Sequence, residues 1–166
     1  MAVAVLDKDS GWKRLLALAR GKFPVVAIGV QGEEAEQTVD GNGEITMVVL
    51  AGVHEFGSTD GRIPVRSFIR NTVDSRRVEY AQLRKRLAAL IVSGKLDHKR
   101  ALGLLGEKVT SHIKGAMEAG LKPDLAPATI ARRIQGQAEA DGSRVFKPLI
   151  DTGQLKNSIT YQVREG

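Results

Sequence analysis

The chain has 166 residues, enough for one hydrophobic core, and the sequence predicts a single domain over 1–166. It holds no cysteine, which excludes disulfides and thiolate metal sites, and no apolar run approaches the roughly 20 residues that cross a bilayer. The start of the chain lacks the pattern of a signal peptide, so we expect a soluble protein made in a cytoplasm. The formal net charge of +6 is compatible with a polyanionic neighbour.

The first third of the chain predicts a short helix and then a β-hairpin. SGWKRLLALAR has its apolar residues at helical spacing, with Ser10 at the N-cap position and Gly21 just beyond the end. Two later stretches, FPVVAIGVQG and EITMVVLAGVHEFG, alternate apolar residues with others and are predicted to be strands. DGNG at 40–43 is a signal for a tight turn between them.

The middle of the chain predicts two long helices. From Phe68 onward the apolar residues lie on one side of a helix that runs unbroken to Ser93 and Gly94. Asp97 is placed to cap a second helix that ends before Gly120, with an apolar face of Leu102, Leu105, Val109, Ile113 and Ala116. Because the link between the helices is short, we expect an antiparallel helical hairpin.

The end of the chain predicts a short helix starting at Pro127 and an amphipathic strand in SITYQVRE. That strand needs a sheet to join, and the early hairpin offers one. The predicted fold class is therefore α+β, a small and mostly antiparallel sheet packed against a helical hairpin and an N-terminal helix. Polar, glycine-containing stretches predict flexible segments at 32–44, 57–63 and 135–147.

Asp151-Thr152-Gly153 matches the active-site tripeptide of aspartic proteases. Such a protease needs two carboxylates that share a proton, and the fold around them includes several further strands. Only 15 residues follow Asp151, and a turn and one strand occupy them. We therefore expect a structural role, in which Asp151 or Thr152 accepts backbone N–H bonds and Gly153 allows either close backbone approach or a positive φ.

Other motifs give little support for catalysis or metal binding. His54 stands beside Glu55, but no second histidine follows one helical turn later, and His98 and His112 lack partners at ligand spacing. DGNGE is followed by no Lys-Ser or Lys-Thr pair, so it does not predict a phosphate-binding loop. No Ser, His and Asp set stands out, although a triad is assembled only by folding. We expect no enzyme activity, no metal and no cofactor.

Four arginines suggest a basic surface. On an ideal helix Arg66, Arg70, Arg77 and Arg84 project within roughly 40° of one another. Such a stripe would contact phosphates or an acidic partner, or would simply be a solvated face. Few aromatic residues lie between these arginines, so stacking on single-stranded bases is not predicted.

Two blocks of sequence resemble a known family. GVHEFGSTDGRIPVRSFIR is similar to the His-Glu-Phe-Gly, Ile-Pro, Arg-x-Phe-x-Arg pattern of neck and tail-completion proteins of tailed bacteriophages, which are often called virion morphogenesis proteins in Mu-like prophages. LAPATIARRIQG with KPLIDTGQLKNSITYQV resembles the second block of that family. The chain departs from the pattern in a longer loop, QAEADGSRVF, and in Ser67 and Ile69 beside Phe68.

The resemblance implies a virion structural protein without enzymatic activity, assembled in the bacterial host cytoplasm. Its copies would form a homo-oligomeric ring in the neck or at the head-proximal end of the tail. Its partners would be neighbouring neck, connector, tail-terminator or tail-tube proteins, and genomic DNA would pass through the channel without sequence-specific contact. The segments at 32–44 and 57–63 would become ordered against neighbouring subunits.

Carried onto this sequence, the resemblance implies a set of structural or interface residues: His54, Glu55, Phe56, Gly57, Ile63, Pro64, Arg66, Phe68, Arg70, Thr129, Ile130, Asp151, Thr152, Gly153, Leu155, Ser158 and Ile159. If the two blocks meet in the fold, Arg66 and Arg70 would pair with Glu55 or Asp151. Two alternatives stay open, a stand-alone DNA-binding module that uses the arginine stripe and a hydrolase built around Asp151 or His54.

Overall fold

A computed structural model describes residues 12, 13, 16, 20, 21, 23–39, 45–135, 149 and 153–165. Helical backbone at Trp12, Lys13, Leu16 and Arg20 agrees with the predicted first helix. The elements after it are β1 (Val25–Val30), α1 (Glu33–Glu36), α2 (Met47–Phe56), α3 (Arg70–Ser75), α4 (Arg77–Val92), α5 (His98–Ala119), α6 (Pro127–Gln135), α7 (Gln154–Ser158) and β2 (Ile159–Arg164).

The sheet consists of two antiparallel strands, which confirms the predicted α+β class. β1 pairs with β2 in a register that joins Val25 to Arg164 and Val30 to Ile159. Both strands lie on α5. At Gly106 of α5 an added Cβ would stand 2.5 Å from the Tyr161 ring and 2.9 Å from Val26, so the absence of a side chain there permits the close approach of helix and sheet.

The prediction of a second hairpin strand is wrong, because the residues of that stretch form helix α2. The Thr46 hydroxyl caps α2 by accepting from the Val49 N–H at 3.4 Å, and the helix ends at Gly57, whose φ is 83°. Met47, Ala51 and Glu55 are its buried residues, at the four-residue spacing of one helix face. The apolar run is nearly continuous, so the alternation in it carried little information. The predicted turn at 40–43 lies outside the described residues.

The helical hairpin is confirmed, with one break in its first helix. The predicted helix divides into α3 and α4 at Arg76, where φ is −110° and ψ is 18°. Asp97 caps α5 by accepting from the N–H groups of Lys99 and Arg100, as predicted. The Tyr80 hydroxyl lies 2.9 Å from His112 Nδ1. The start of α4 therefore lies beside the later part of α5, as in two antiparallel helices.

The core lies between α2, α5 and the sheet. Its fully buried large side chains are Met47, Phe68, Ile113, Met117 and Ile159. The buried face of α5 is rotated from the predicted one: it comprises Ala101, Gly106, Val109, Thr110, Ile113 and Met117, whereas Leu102 and Ala116 are half-buried. Among the helices that the structure describes, none has the length and apolar character required to cross a membrane.

Candidate assembly interface

The first sequence block is organised around the buried carboxylate of Glu55. Its Oε1 accepts from the Ser67 hydroxyl at 2.6 Å and from the Arg70 N–H at 3.0 Å, and its Oε2 accepts from the Ile69 N–H at 3.0 Å. Both N–H groups lie at the start of α3, where helix donors lack partners within the helix. Glu55 at the end of α2 therefore caps α3 and fixes the angle between the two helices.

Arg70 connects this carboxylate to an exposed aromatic ring. Its Nε lies 3.5 Å from Glu55 Oε1, so the predicted pairing of these two residues is confirmed. Its guanidinium carbon lies 4.9 Å from the centroid of the Phe56 ring, within the range of a cation–π contact. Phe56 nevertheless keeps 67% of its surface exposed. Any pairing of Arg70 with Asp151 lies outside the described residues.

An apolar groove runs beside Phe56. We define the α2 groove as a cavity of about 530 Å³ whose apolar lining includes Val30, Val48, Gly52, Phe56, Ile69 and Val73. Val48, Gly52 and Phe56 follow one another at four-residue spacing along α2, and Arg70 and Asp74 stand at the groove as charged groups. Val48 is 49% exposed, so this face of the helix is left uncovered. An exposed apolar patch with charged residues beside it is typical of a protein-binding surface.

Arg66 is not part of an exposed arginine stripe, and any pairing of Arg66 with Asp151 lies outside the described residues. It precedes α3, is buried, and donates from Nε to the Pro123 carbonyl at 2.7 Å and from Nη2 to the Asp124 carbonyl at 2.9 Å. It therefore positions the connection that leads into α6. The prediction that four arginines form a stripe on one helix is wrong. Arg66 is not helical, and the helix is interrupted at Arg76 between α3 and α4. Contact of the exposed Arg70, Arg77 and Arg84 with DNA stays a prediction.

The turn after α2 is held by its own side chains. Gly57 has a positive φ, and a Cβ there would stand 3.0 Å from Val65 Cγ2. The Ser58 hydroxyl donates to Asp60 Oδ1 at 2.6 Å and accepts from the Ile63 N–H at 2.8 Å. The hydrogen bond from Ser58, with a second from the Arg62 N–H, lowers the pKa of the Asp60 carboxyl below its ordinary value. The predicted flexibility of this turn stays a prediction.

Residues of both sequence blocks line a second cavity, of about 790 Å³. The first block contributes His54, Ile63, Pro64 and Arg66, and the second contributes Thr129, Gly153 and Leu155. The structure therefore brings the two blocks together. Four of the other predicted residues, Glu55, Phe68, Ser158 and Ile159, are buried. Phe68 and Ile159 are fully buried, and the buried Ser158 hydroxyl donates to the Leu155 carbonyl at 2.8 Å.

The DTG tripeptide is described only at its last residue. Gly153 has the predicted positive φ, at 81°, and precedes the first residue of α7. Asp151 and Thr152 lie outside the described residues, so their predicted caps stay predictions. Ile130 is half-buried on α6.

The helical hairpin contains a polar cluster that the sequence reading missed. His112 Nδ1 is bonded to the Tyr80 hydroxyl, and its Nε2 lies 3.8 Å from Glu79 Oε1. Burial lowers the pKa of His112, against an opposing effect of Glu79, and burial also raises the pKa of Tyr80. The partners are 32 residues apart in sequence, so no local pattern reveals the pair. In the described part of the chain, no group of three or more His, Asp or Glu side chains is arranged to hold a metal ion.

No protein-family model matches the chain, and neither a curated protein nor a solved structure matches it.

Proposed function

We propose that this chain is a structural virion protein of a tailed phage, without enzymatic activity or cofactor. Its copies form a ring in the neck or at the head-proximal end of the tail, where they join head and tail around the DNA channel. The observation that carries the proposal is the α2 groove, an exposed apolar face to which Gly52, Phe56 and Ile69 of the first sequence block contribute.

The chemistry of the groove fits contact with another protein subunit. Full burial of a side chain the size of Phe56 contributes about 1.5–3 kcal/mol. Arg70 and Asp74 supply one positive and one negative group at the same surface, which would orient an incoming subunit. A ring requires a heterologous contact, so the groove of one subunit meets a different surface of the next.

The buried residues of the two blocks support a scaffold role. Glu55 caps α3, Arg66 binds the carbonyls that precede α6, and Ser158 bonds within α7. The contacts of Glu55 and Arg66 each fix the position of one element relative to another, and the Ser158 bond holds α7 itself. Together they hold the exposed face of α2 in a constant geometry, which repeated assembly into a closed ring requires.

A stop codon in this gene, placed in the phage or prophage that carries it, tests the proposal. Electron microscopy of the particles is expected to show filled heads beside separate tails that look finished or abnormally long. A plasmid-borne copy of the gene should restore joined particles. Intact and infectious virions from the stop-codon strain, in the absence of that plasmid, would overturn the proposal.

A further inference from the structure

The positive charge of the chain is concentrated in one part of the helical hairpin. Residues 76–100, which comprise α4, the link and the start of α5, hold eight Lys or Arg and two Asp or Glu. Their net charge equals the +6 of the entire chain, so the remaining residues are neutral in sum. A field of one sign on a neutral body attracts a polyanion to one place on its surface.

The cations at the centre of this segment are exposed and form no ion pair with another residue that the structure describes. Arg84, Lys85 and Arg86 are exposed, and none of the ion pairs within the described ranges involves them. Several cations elsewhere in the described fold have acidic partners, as Arg62 has in Asp60 at 3.2 Å and Lys156 in Glu118 at 2.9 Å.

Packing of α4 determines where these side chains point. Tyr80 and Leu87 are the buried residues of α4, and they hold that face of the helix against α5. Successive residues differ by about 100° around a helix, so Arg84, Lys85 and Arg86 spread over the side that faces solvent. Arg77 precedes Arg84 by two turns, about 10.5 Å along the same side.

We propose that this surface, Arg77, Arg84, Lys85 and Arg86 on α4 with Lys95 in the link, binds the phosphate backbone of duplex DNA without sequence specificity. The inference rests on the proposed function for the identity of the polyanion, and it assigns the DNA-facing side of the subunit. An anionic membrane fits less well, because Tyr80 and Leu87 contact α5, and the exposed apolar side chains of α4, Val78 and Leu90, lie about 120° apart around the helix. They form no continuous apolar face of the kind that an interfacial helix needs for lipid.

Fluorescence anisotropy with the purified full chain and a labelled 30-base-pair DNA duplex, from 50 to 200 mM NaCl, tests the inference. The triple variant Arg84→Gln, Lys85→Gln, Arg86→Gln is expected to bind at least about tenfold more weakly at 50 mM NaCl. The slope of log Kobs against log salt should become shallower by about 2.7, since each lost phosphate contact removes about 0.9. The variant Arg77→Gln, Lys95→Gln should lose about 1.8 from the slope by the same relation.

A matched control removes three exposed cations outside the segment, with the changes Arg20→Gln, Arg62→Gln and Lys122→Gln. It alters the net charge equally and should keep most of the parent affinity. Equal losses in the two triple variants, no binding by the parent at 50 mM NaCl, or a preference for phosphatidylserine vesicles over DNA would each overturn the inference. Because the assay uses the isolated chain, its result is separate from the head–tail joining phenotype that tests the proposed function.

Discussion

Glu55 illustrates how one buried side chain joins two elements. Its carboxylate satisfies the first donors of α3 from the end of α2, and the neighbouring Arg70 stacks on Phe56. The His-Glu-Phe and Arg-Ser-Phe-Ile-Arg stretches are thus two halves of one contact. The sequence showed both halves and suggested a pairing of Arg70 with Glu55 or Asp151, but it gave no indication that Glu55 also binds backbone N–H groups.

Replacing Glu55 should destabilise the fold. Glu55→Ala leaves the N–H groups of Ile69 and Arg70 and the Ser67 hydroxyl without their acceptor, so we expect a loss of about 2–4 kcal/mol in the free energy of unfolding by urea. Glu55→Gln keeps one carbonyl acceptor and should lose less. The exposed Glu107→Ala, as a control, should change stability by less than about 0.5 kcal/mol. A Glu55→Ala variant as stable as the parent would contradict the capping role.

His112 should make stability depend on pH. Burial depresses the folded-state pKa of His112 below its ordinary value of 6.5, Lys108 and Arg76 act in the same direction, and Glu79 opposes them. The unfolded chain therefore takes up the proton more readily than the folded chain. The stabilisation of the folded state by neutral His112 is fully present above pH 6.5 and is lost as pH falls from there through the folded-state pKa.

The measurement is urea unfolding of the parent and of His112→Gln between pH 8 and pH 5. The advantage of the parent over the variant should be largest at pH 8 and should shrink towards pH 5. A difference that stays constant or grows as pH falls would show that the imidazole is not held in its neutral form.

At the scale of elements, α5 is the platform on which the sheet and α4 pack. Its cap at Asp97 and its end at Gly120 were readable from sequence because both signals are local. The face that α5 buries was not readable, since Gly106 packs directly against Tyr161 and Val26 of the sheet and has no apolar side chain to mark it. The available signal was the presence of a glycine inside a helical pattern, because glycine at such a position often allows another element to pack closely against the helix.

Two glycines of α5 provide a matched pair of substitutions. Gly106→Ala places a methyl group against the Tyr161 ring and Val26, so it should destabilise by about 1–3 kcal/mol despite the better helix propensity of alanine. At Gly115 nothing lies within 4 Å of an added Cβ, so Gly115→Ala should stabilise by up to about 1 kcal/mol. Thermal and urea unfolding of both variants measure the difference. Stabilisation by both would show that the helix and sheet separate easily at Gly106.

At the scale of the whole molecule, two surfaces stand apart from the rest. The α2 groove is apolar and exposed, and the outer face of α4 carries Arg84, Lys85 and Arg86, which form no ion pair within the described part of the chain. They lie on different helices, which suits a subunit that contacts its neighbours through one surface and a polyanion through another.

Self-association should depend on the α2 groove. Phe56→Ser and Val48→Lys are each expected to weaken association of the purified chain by more than about tenfold, because they remove buried apolar area from the contact. Sedimentation velocity over a concentration series measures the change. Phe56→Ser should reduce the stability of the monomer by no more than about 1 kcal/mol, the contribution of an exposed cation–π contact.

Val78→Lys is the control for these two variants, because Val78 is 71% exposed but lies on α4. It should leave association unchanged. Equal weakening by all three variants, or by none, would place the contact between subunits elsewhere.

The sequence by itself determined the α+β class, both strands of the sheet, and the helical hairpin with the cap at Asp97. These features follow from hydrophobic period and terminal residues, which act over a few positions of chain. Only the tertiary structure decided that 47–56 is a helix, that Arg66 is buried, and that His112 binds Tyr80. Each of these depends on partners far away in sequence, and a nearly continuous apolar run such as MVVLAGV suits a strand or a helix until those partners are in place.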